Sequence, residues 1–473
     1  MLKNFYYYLM LLTLGLAGLM SSCKKPLQDG SAALTFSTPL VNFDTLFTTV
    51  SSANKSFTVY NLSDKNVKVN VYLASGSSSF FSINVNGVPG NSHHDVEIPA
   101  KDSIFVFVKA NINPGNQNQP FLITDSVIFE NQYHKQDVDL MAYGQDAHFI
   151  VADAATGMNI LAHENETVTW TNDKPYVVYG GWAVVDSLGT LNIEAGTRIY
   201  FHRNSGLLVW RYGNIHVNGT LEQPVVFQGD RLEAQYAEAT NQWNRIWILE
   251  GEADNTIDYA IIKNSFVGLQ IEPWGGFESI TVTDNHNVIS NTIIENTYNS
   301  GLIARYANID ATNCVIANNG GCSVQLEAGN YDFKHVTIAN YYAGTPKRQN
   351  PALYLSNAAQ IYQLPYQTQA SFVNCIVYGN LSSGEELLIQ QDPSATLDYR
   401  FENCLLRSAQ SGTPFVNCHS GSPEFVNTAS NDYHLDVFSY AINRGMTGIN
   451  VPYDLDGNRR TGIPDVGAYE FIR

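Results

Sequence analysis

A six-residue box recurs six times between Tyr259 and Ser408, and no other feature of this 473-residue chain constrains its fold as much. The copies are Tyr259–Asn264, Asn291–Asn296, Asn313–Asn318, His335–Asn340, Asn374–Gly379 and Asn403–Ser408, with starts 32, 22, 22, 39 and 29 residues apart. The second position (Ala260, Thr292, Cys314, Val336, Cys375, Cys404) holds small or medium side chains. The fourth (Ile262, Ile294, Ile316, Ile338, Val377, Leu406) is always aliphatic. Residues two apart on a strand point the same way, so both positions should face one core. Self-similarity at such periods is the mark of stacked supersecondary units. The shortest spacing, 22, suits one coil of a right-handed parallel β-helix, and the longer gaps are coils with inserted loops. Asn at the sixth position is expected to bond to its copies above and below, as Asn ladders do in stacked sheets. Earlier coils are expected at Leu191–Tyr200 and Gly213–Leu221. Three cysteines occupy the second position, where they read as buried small hydrophobes rather than reactive thiols.

The expected class is all-β throughout. From 33 to 148, short runs such as Ser56–Tyr60, Val67–Tyr72, Ser103–Val108 and Ser126–Phe129 alternate apolar with polar residues, as half-buried strands do. Turn residues such as Asn61-Leu62-Ser63-Asp64 and Asn86-Gly87 separate them. About seven strands of this kind suit an immunoglobulin-like sandwich. Adjacent strand residues point to opposite faces, so His93 and His94 are read as a solvated loop and not as a metal pair. The segment resembles Hydin/SPD-2-like envelope modules through the Phe57–Asn61 strand, the Asp102–Val108 strand and Pro114, a likeness that implies a spacer or adhesive role. The β-helix is expected to fill 149–473. Its open strand edges need caps, for which the sandwich and the chain's last segment are candidates.

The N-terminus locates the protein. Lys3 precedes an uncharged run to Met20, too short for a transmembrane helix, which needs about 20 apolar residues, and suited to a signal peptide over 1–22. Leu19-Met20-Ser21-Ser22-Cys23 resembles a bacterial lipobox, with Met20 in place of the more usual Leu. Cys23 is then the lipidation site, and residues 23–32 are a tether. Two or more acyl chains hold a protein on a membrane where one does so only marginally. The expected location is the outer membrane of a Gram-negative bacterium, periplasmic or surface-exposed, with the membrane as a partner through the lipid.

Net charge is −18, from 26 basic and 44 acidic residues, which excludes nucleic acid as a natural partner. Six cysteines less Cys23 leave an odd number, and their spacing fits neither a disulfide framework nor a zinc site. The histidines make no HxH or HExxH pattern, and no nucleophile elbow, phosphate loop or dinucleotide fingerprint is present.

The segment Tyr453–Phe471 is similar to the closing signature of choice-of-anchor-Q proteins, bacterial β-helix surface proteins. The matching residues are Asp454, Asp456, Gly457, Arg459, Asp465, Gly467, Ala468, Tyr469 and Glu470. The likeness, covering roughly 176–471 with the repeats, implies a fold and an envelope location but no activity. Asp454 and Asp456 resemble half of a calcium loop whose other ligands are missing. No cofactor is expected, calcium being the ion such a loop would take, and a structural turn paired with Arg459 is the preferred reading.

Three functions compete. The first is non-catalytic binding of a glycan or other surface polymer. Its candidate residues are Trp210, Arg231, Tyr236, Trp243, Arg245 and Trp274, whose aromatic faces and cations suit sugar stacking; the competing reading has these aromatics packing a loop onto the coil. The second is a polysaccharide lyase or glycosidase, which needs an Arg or Lys over carboxylates, or two flanking carboxylates. Asp230, Asp254, Asp258, Asp284 and Asp310 look scattered: Asp258 lies two before Ala260, whereas Asp310 lies four before Cys314. No catalytic residue is assigned. The third is a structural spacer.

Overall fold

The computed structural model describes residues 32–48, 52, 54–113, 121–250, 253–273, 286–359, 364–382 and 384–472. Cys23 and the leader, Pro114, Trp274 and Asp284 lie outside these. The chain divides into two compact units, Met1–Gln145 and Asp146–Arg473. Among the described residues no helix is long and apolar enough to cross a membrane.

The first unit is a sandwich of two five-stranded sheets. The strands Lys55–Asn61, Val67–Leu73, Asp102–Ala110 and Phe121–Glu130 extend each of the four expected runs. Their alternate residues fill one core, including Phe57, Val59, Val69, Val71, Ile104, Val106, Val127 and Phe129. Asn86 and Gly87 both take left-handed φ (49° and 90°), the geometry of the tight hairpin between Phe81–Val85 and Val88–Pro89. The two histidines are not in a loop. They lie on the edge strand Ser92–Ile98, with His93 Nε2 bonded to the Gly90 carbonyl at 2.7 Å. About seven strands were expected and ten form among the described residues, because short edge pieces such as Thr35–Phe36 carry too little pattern to be read alone.

The second unit is a parallel β-helix whose coils each contribute up to three strands. One strand per coil joins a ten-stranded parallel sheet, beginning at His148–Val151. The other two join a seventeen-stranded sheet as a first and a second column, fused where Leu302–Thr312 and Val324–Lys334 run across both. The six boxes are consecutive strands of the ten-stranded sheet, paired Ile261 to Ile293, Ile293 to Val315, Val315 to Thr337, Thr337 to Ile376 and Ile376 to Leu405. Second and fourth box positions point inward. Cys314, Cys375, Cys404, Ile316, Ile338 and Val377 are wholly buried in one continuous core. Burial pushes the Cys314 thiol up to about 12, which suppresses thiolate chemistry there.

The first box position is a corner. All six copies take left-handed φ between 46° and 55°, and four of them are Asn, the side chain that best tolerates this region after glycine. The sixth position was expected to form a ladder, and it does so at one rung only: Asn318 donates to Asn296 Oδ1 at 2.6 Å. Asn264 donates instead to the carbonyls of Ala237 and Ala239, and Asn340 to those of Asn319 and Gly321. The chain turns left-handed at Asn264, Asn296 and Asn318, a conformation shared by the ladder pair and by the diverted Asn264.

The last segment does not sit over a coil end as a cap. It runs along the outer face of the ten-stranded sheet, where Tyr433, Leu455, Ala468 and Tyr469 bury Val315, Ala317 and Ala339, and Leu435, Ala441 and Val466 bury Ile376 and Leu405. The box corners hold it. Asn313 donates to the Tyr453 carbonyl at 2.7 Å, Asn403 to that of Arg444 at 3.1 Å, and Asn374 both donates to and accepts from the Met446 backbone.

Candidate functional site

The sequence-selected aromatics and cations do not assemble into one exposed strip. Trp243 is 1% exposed, stacks on Phe201 at 4.3 Å and donates its indole N–H to the Lys263 carbonyl. It is a core residue and is removed from the candidate ligand-binding set, because no sugar can reach its ring. Arg231 is bidentate to Glu233 (3.1 and 3.0 Å) and lies over Tyr236 at 4.0 Å, so each satisfies the other within the loop. Trp210 joins Trp182 and Trp247 in packing onto Val184, Leu208 and Leu249, on the outer side of the first column. Arg245 bonds Asn244 Oδ1 at 2.8 Å and the Gln270 side chain, with Trp247 and Phe266 rings beside it. Burial lowers its guanidinium from the ordinary value.

Arg245 leads to a charged cluster that the sequence did not reveal. Glu272, Arg305 and Glu327 are register partners in three successive coils of the first column. Arg305 donates to Glu272 Oε2 and Glu327 Oε2, each at 2.6 Å. Glu272 Oε1 also accepts from Trp247 Nε1 and Gln270 Nε2, and Glu327 Oε1 from Gln325 Nε2. The three side chains are between 0 and 9% exposed. Buried charges persist only when paired and hydrogen-bonded, and here each carboxylate oxygen has a donor. The cluster therefore acts as a clamp between coils and offers no open position.

At the calcium-loop candidate, Asp454 is fully buried and its carboxylate accepts the backbone N–H groups of Asp456, Asn458 and Glu470 and the Asn458 side chain. Those donors occupy the directions a cation would need. The turn is structural, but its arginine is Arg460, not Arg459. Arg460 pairs with Glu470 at 2.5 Å and donates to Asn313, while Arg459 is exposed. Asp456 instead bonds His434 Nε2 at 2.7 Å, with Asp432 on Nδ1 at 2.6 Å.

The open site lies on the outer face of the second column. Two outward rows run from coil to coil. One is Asn308, Asn330, Gln369 and Asp398, and the other is Asp310, Asp332, Ser371 and Arg400, each set in direct register. With His286 and Tyr399 they line a cleft of about 500 Å³. The carboxylates therefore do match between adjacent coils. Asp310 lies four before Cys314 and Asp332 four before Val336, so the apparent scatter came from comparing Asp310 with Asp258 alone. Beneath the rows, Phe333, Phe372, Phe401 and Phe415 stack face to tilted face, at 5.2, 4.5 and 5.3 Å, which fixes the spacing of the rungs above. His286 Nδ1 contacts Asp310 at 3.0 Å, Lys334 pairs with Asp332 at 2.5 Å, and Arg400 with Glu402 at 3.0 Å. Asn330 donates to Asn308 Oδ1 at 2.8 Å. Exposed carboxylates, amides and hydroxyls on a rigid sheet can exchange hydrogen bonds with a polyhydroxylated ligand.

No family model matches the chain, and no curated protein matches it in sequence. Among solved structures, a family 123 glycoside hydrolase from Clostridium perfringens, described for glycolipid glycan hydrolysis, matches at 9% identity with a TM-score of 0.18, over 26% of this chain and 31% of the hydrolase. The ASH/PapD-like domain 7 of human CEP192 matches at 10% identity and 0.18, over 27% of this chain and 94% of that domain.

Proposed function

We propose that the protein is a lipid-anchored envelope protein of a Gram-negative bacterium that binds a glycan, without turning it over, through the second-column face of its β-helix. The observation that carries this reading is the pair of in-register polar rows, of which Asn330, Gln369, Asp398 and Arg400 are exposed, on a sheet whose inner face is a stack of buried phenylalanines. The loop residues Arg231 and Tyr236 satisfy each other and are secondary to it. Titration of the chain with a panel of oligosaccharides tests the reading: binding should fall about five- to thirtyfold in Gln369→Ala, the loss of one or two hydrogen bonds at about 1 kcal/mol each. Binding that Gln369→Ala and Asp332→Ala both leave intact contradicts the site, and no binding to any saccharide favours the spacer reading. Cys23→Ser should abolish fatty-acid labelling of the protein; retained labelling would contradict the anchor.

One observation favours a second, enzymatic reading. Asp310 and Asp332 are Cα partners on neighbouring strands, and strands lie about 4.8 Å apart, close to the ~5 Å between the carboxylates of retaining glycosidases. New reducing ends or unsaturated uronates released from a polysaccharide panel, and lost in Asp332→Asn, would establish it.

A further inference from the structure

Resting on the glycan-binding reading, we infer that the ligand is a neutral, linear, extended glycan lying along the stack of coils, with one sugar unit per coil over about four coils. A repeating ligand needs repeating protein chemistry, and in this cleft the repetition runs only one way. Along the stack, Asn330 and Gln369 present the same amide group at successive exposed rungs, while the neighbouring Asn308 is buried and accepts from Asn330. Along any single strand the outward residues change type, as in Asn330, Asp332 and Lys334, and the backbone then bends at Ala328, where φ is 55°. Rungs are about 4.8 Å apart, so the four rungs of the accessible row from Asp310 through Asp332 and Ser371 to Arg400 span roughly 14 Å. A pyranose in an extended 1,4-linked chain advances by close to one such spacing, so successive units meet equivalent groups without strain.

The charges select the class. The cations of the cleft already hold carboxylates: Lys334 is on Asp332 and Arg400 on Glu402. A polyuronate would find no unpaired cation and would meet Asp310 and Asp398 as like charges, which repel at short range. A polyamine glycan would have to break the Lys334 and His286 contacts to reach Asp332 and Asp310. A neutral polyol can add hydrogen bonds to every group without disturbing a pair.

The test is calorimetric titration of the whole protein with neutral gluco-, manno- and xylo-oligosaccharides of one to six units, alongside a four-unit oligogalacturonate and a four-unit oligoglucosamine. Affinity for the neutral series that binds should rise roughly fivefold per added unit and level off near four units. In Asp398→Ala, at the end of the row, the plateau should arrive one unit earlier. A disaccharide that binds as tightly as a hexasaccharide, or a charged oligomer that binds tighter than its neutral counterpart, overturns this inference and leaves glycan binding standing. Failure of every saccharide to bind removes the glycan reading and this inference with it.

Discussion

The β-helix presents two outer faces built from the same coils and fated differently. On the ten-stranded sheet the outward box positions Val315, Ala317, Ala339, Ile376 and Leu405 are apolar, and the closing segment buries them. On the second column the outward positions are Asn330, Asp332, Gln369 and Asp398, and they line an open cleft. Inward residues on both are aliphatic, aromatic or small, such as Cys314 and Cys375. The outer composition therefore follows what lies over it. An apolar outer row has a covering segment in the same chain, whereas a polar one in register is available to something outside it.

The largest effects should come from the covered face and the core. Val315→Asp places an unpaired carboxylate under Tyr433 and Ala468 and should cost about 3–5 kcal/mol in a denaturant titration. Trp243→Ala should cost about the same through the cavity it leaves, with saccharide affinity of the folded protein unchanged. Asn374→Ala forces a Cβ-bearing residue without a polar tip to hold φ 55° and removes both bonds to Met446. A loss of about 2–3 kcal/mol is expected, with loosening of the closing segment under limited proteolysis.

A smaller effect depends on pH. Hydrogen bonds that His434 donates to Asp456 and Asp432 hold its imidazole up to about 9, against burial that lowers it, and its ring stacks on Tyr469. A folded pKa raised above the unfolded value of 6.5 stabilises fully below 6.5, and that stability is lost as pH rises through about 9. Because the side chain is 43% exposed, solvent screening reduces the contribution to about 1 kcal/mol. The difference in Tm between pH 6 and pH 10 should be smaller in His434→Gln than in the parent; an equal difference would show that the His434 bonds to Asp456 and Asp432 do not couple to folding. Smallest in stability is Asp332→Ala, expected within about 0.5 kcal/mol because the side chain is solvent-accessible. Its binding loss should nevertheless be large, which reverses the order seen on the covered face.

The boxes were legible because a shared core demands the same kind of side chain at Ile262, Ile294, Ile316 and Ile338 in every coil. The cleft was harder to read. Solvent tolerates any polar group, so Asn330, Gln369 and Asp398 share no residue type, and the 39-residue step between His335 and Asn374 hides their common offset. Counting back five residues from each of the last four box starts recovers the row: Asn308, Asn330, Gln369 and Asp398. Glu272 and Arg305 stayed hidden for a different reason, since their offsets from the box differ by one residue, 13 from Tyr259 and 14 from Asn291. The closing segment was expected at a coil end because solenoid edges need covering. Its lateral course depends on corner amides such as Asn313 and Asn374, whose partners lie 140 and 72 residues away. Trp243 was chosen as an exposed stacking residue on composition alone, which does not separate a ring packed on Phe201 from one facing water.

Carboxyl footprinting of the whole protein, with and without a saturating neutral four-unit oligosaccharide, tests the open-face assignment most directly. The account predicts that ligand protects Asp332 and Asp398 from carbodiimide labelling while Glu233 and Asp230 label unchanged. Protection of Glu233 and Asp230 with Asp332 and Asp398 still fully labelled would contradict it.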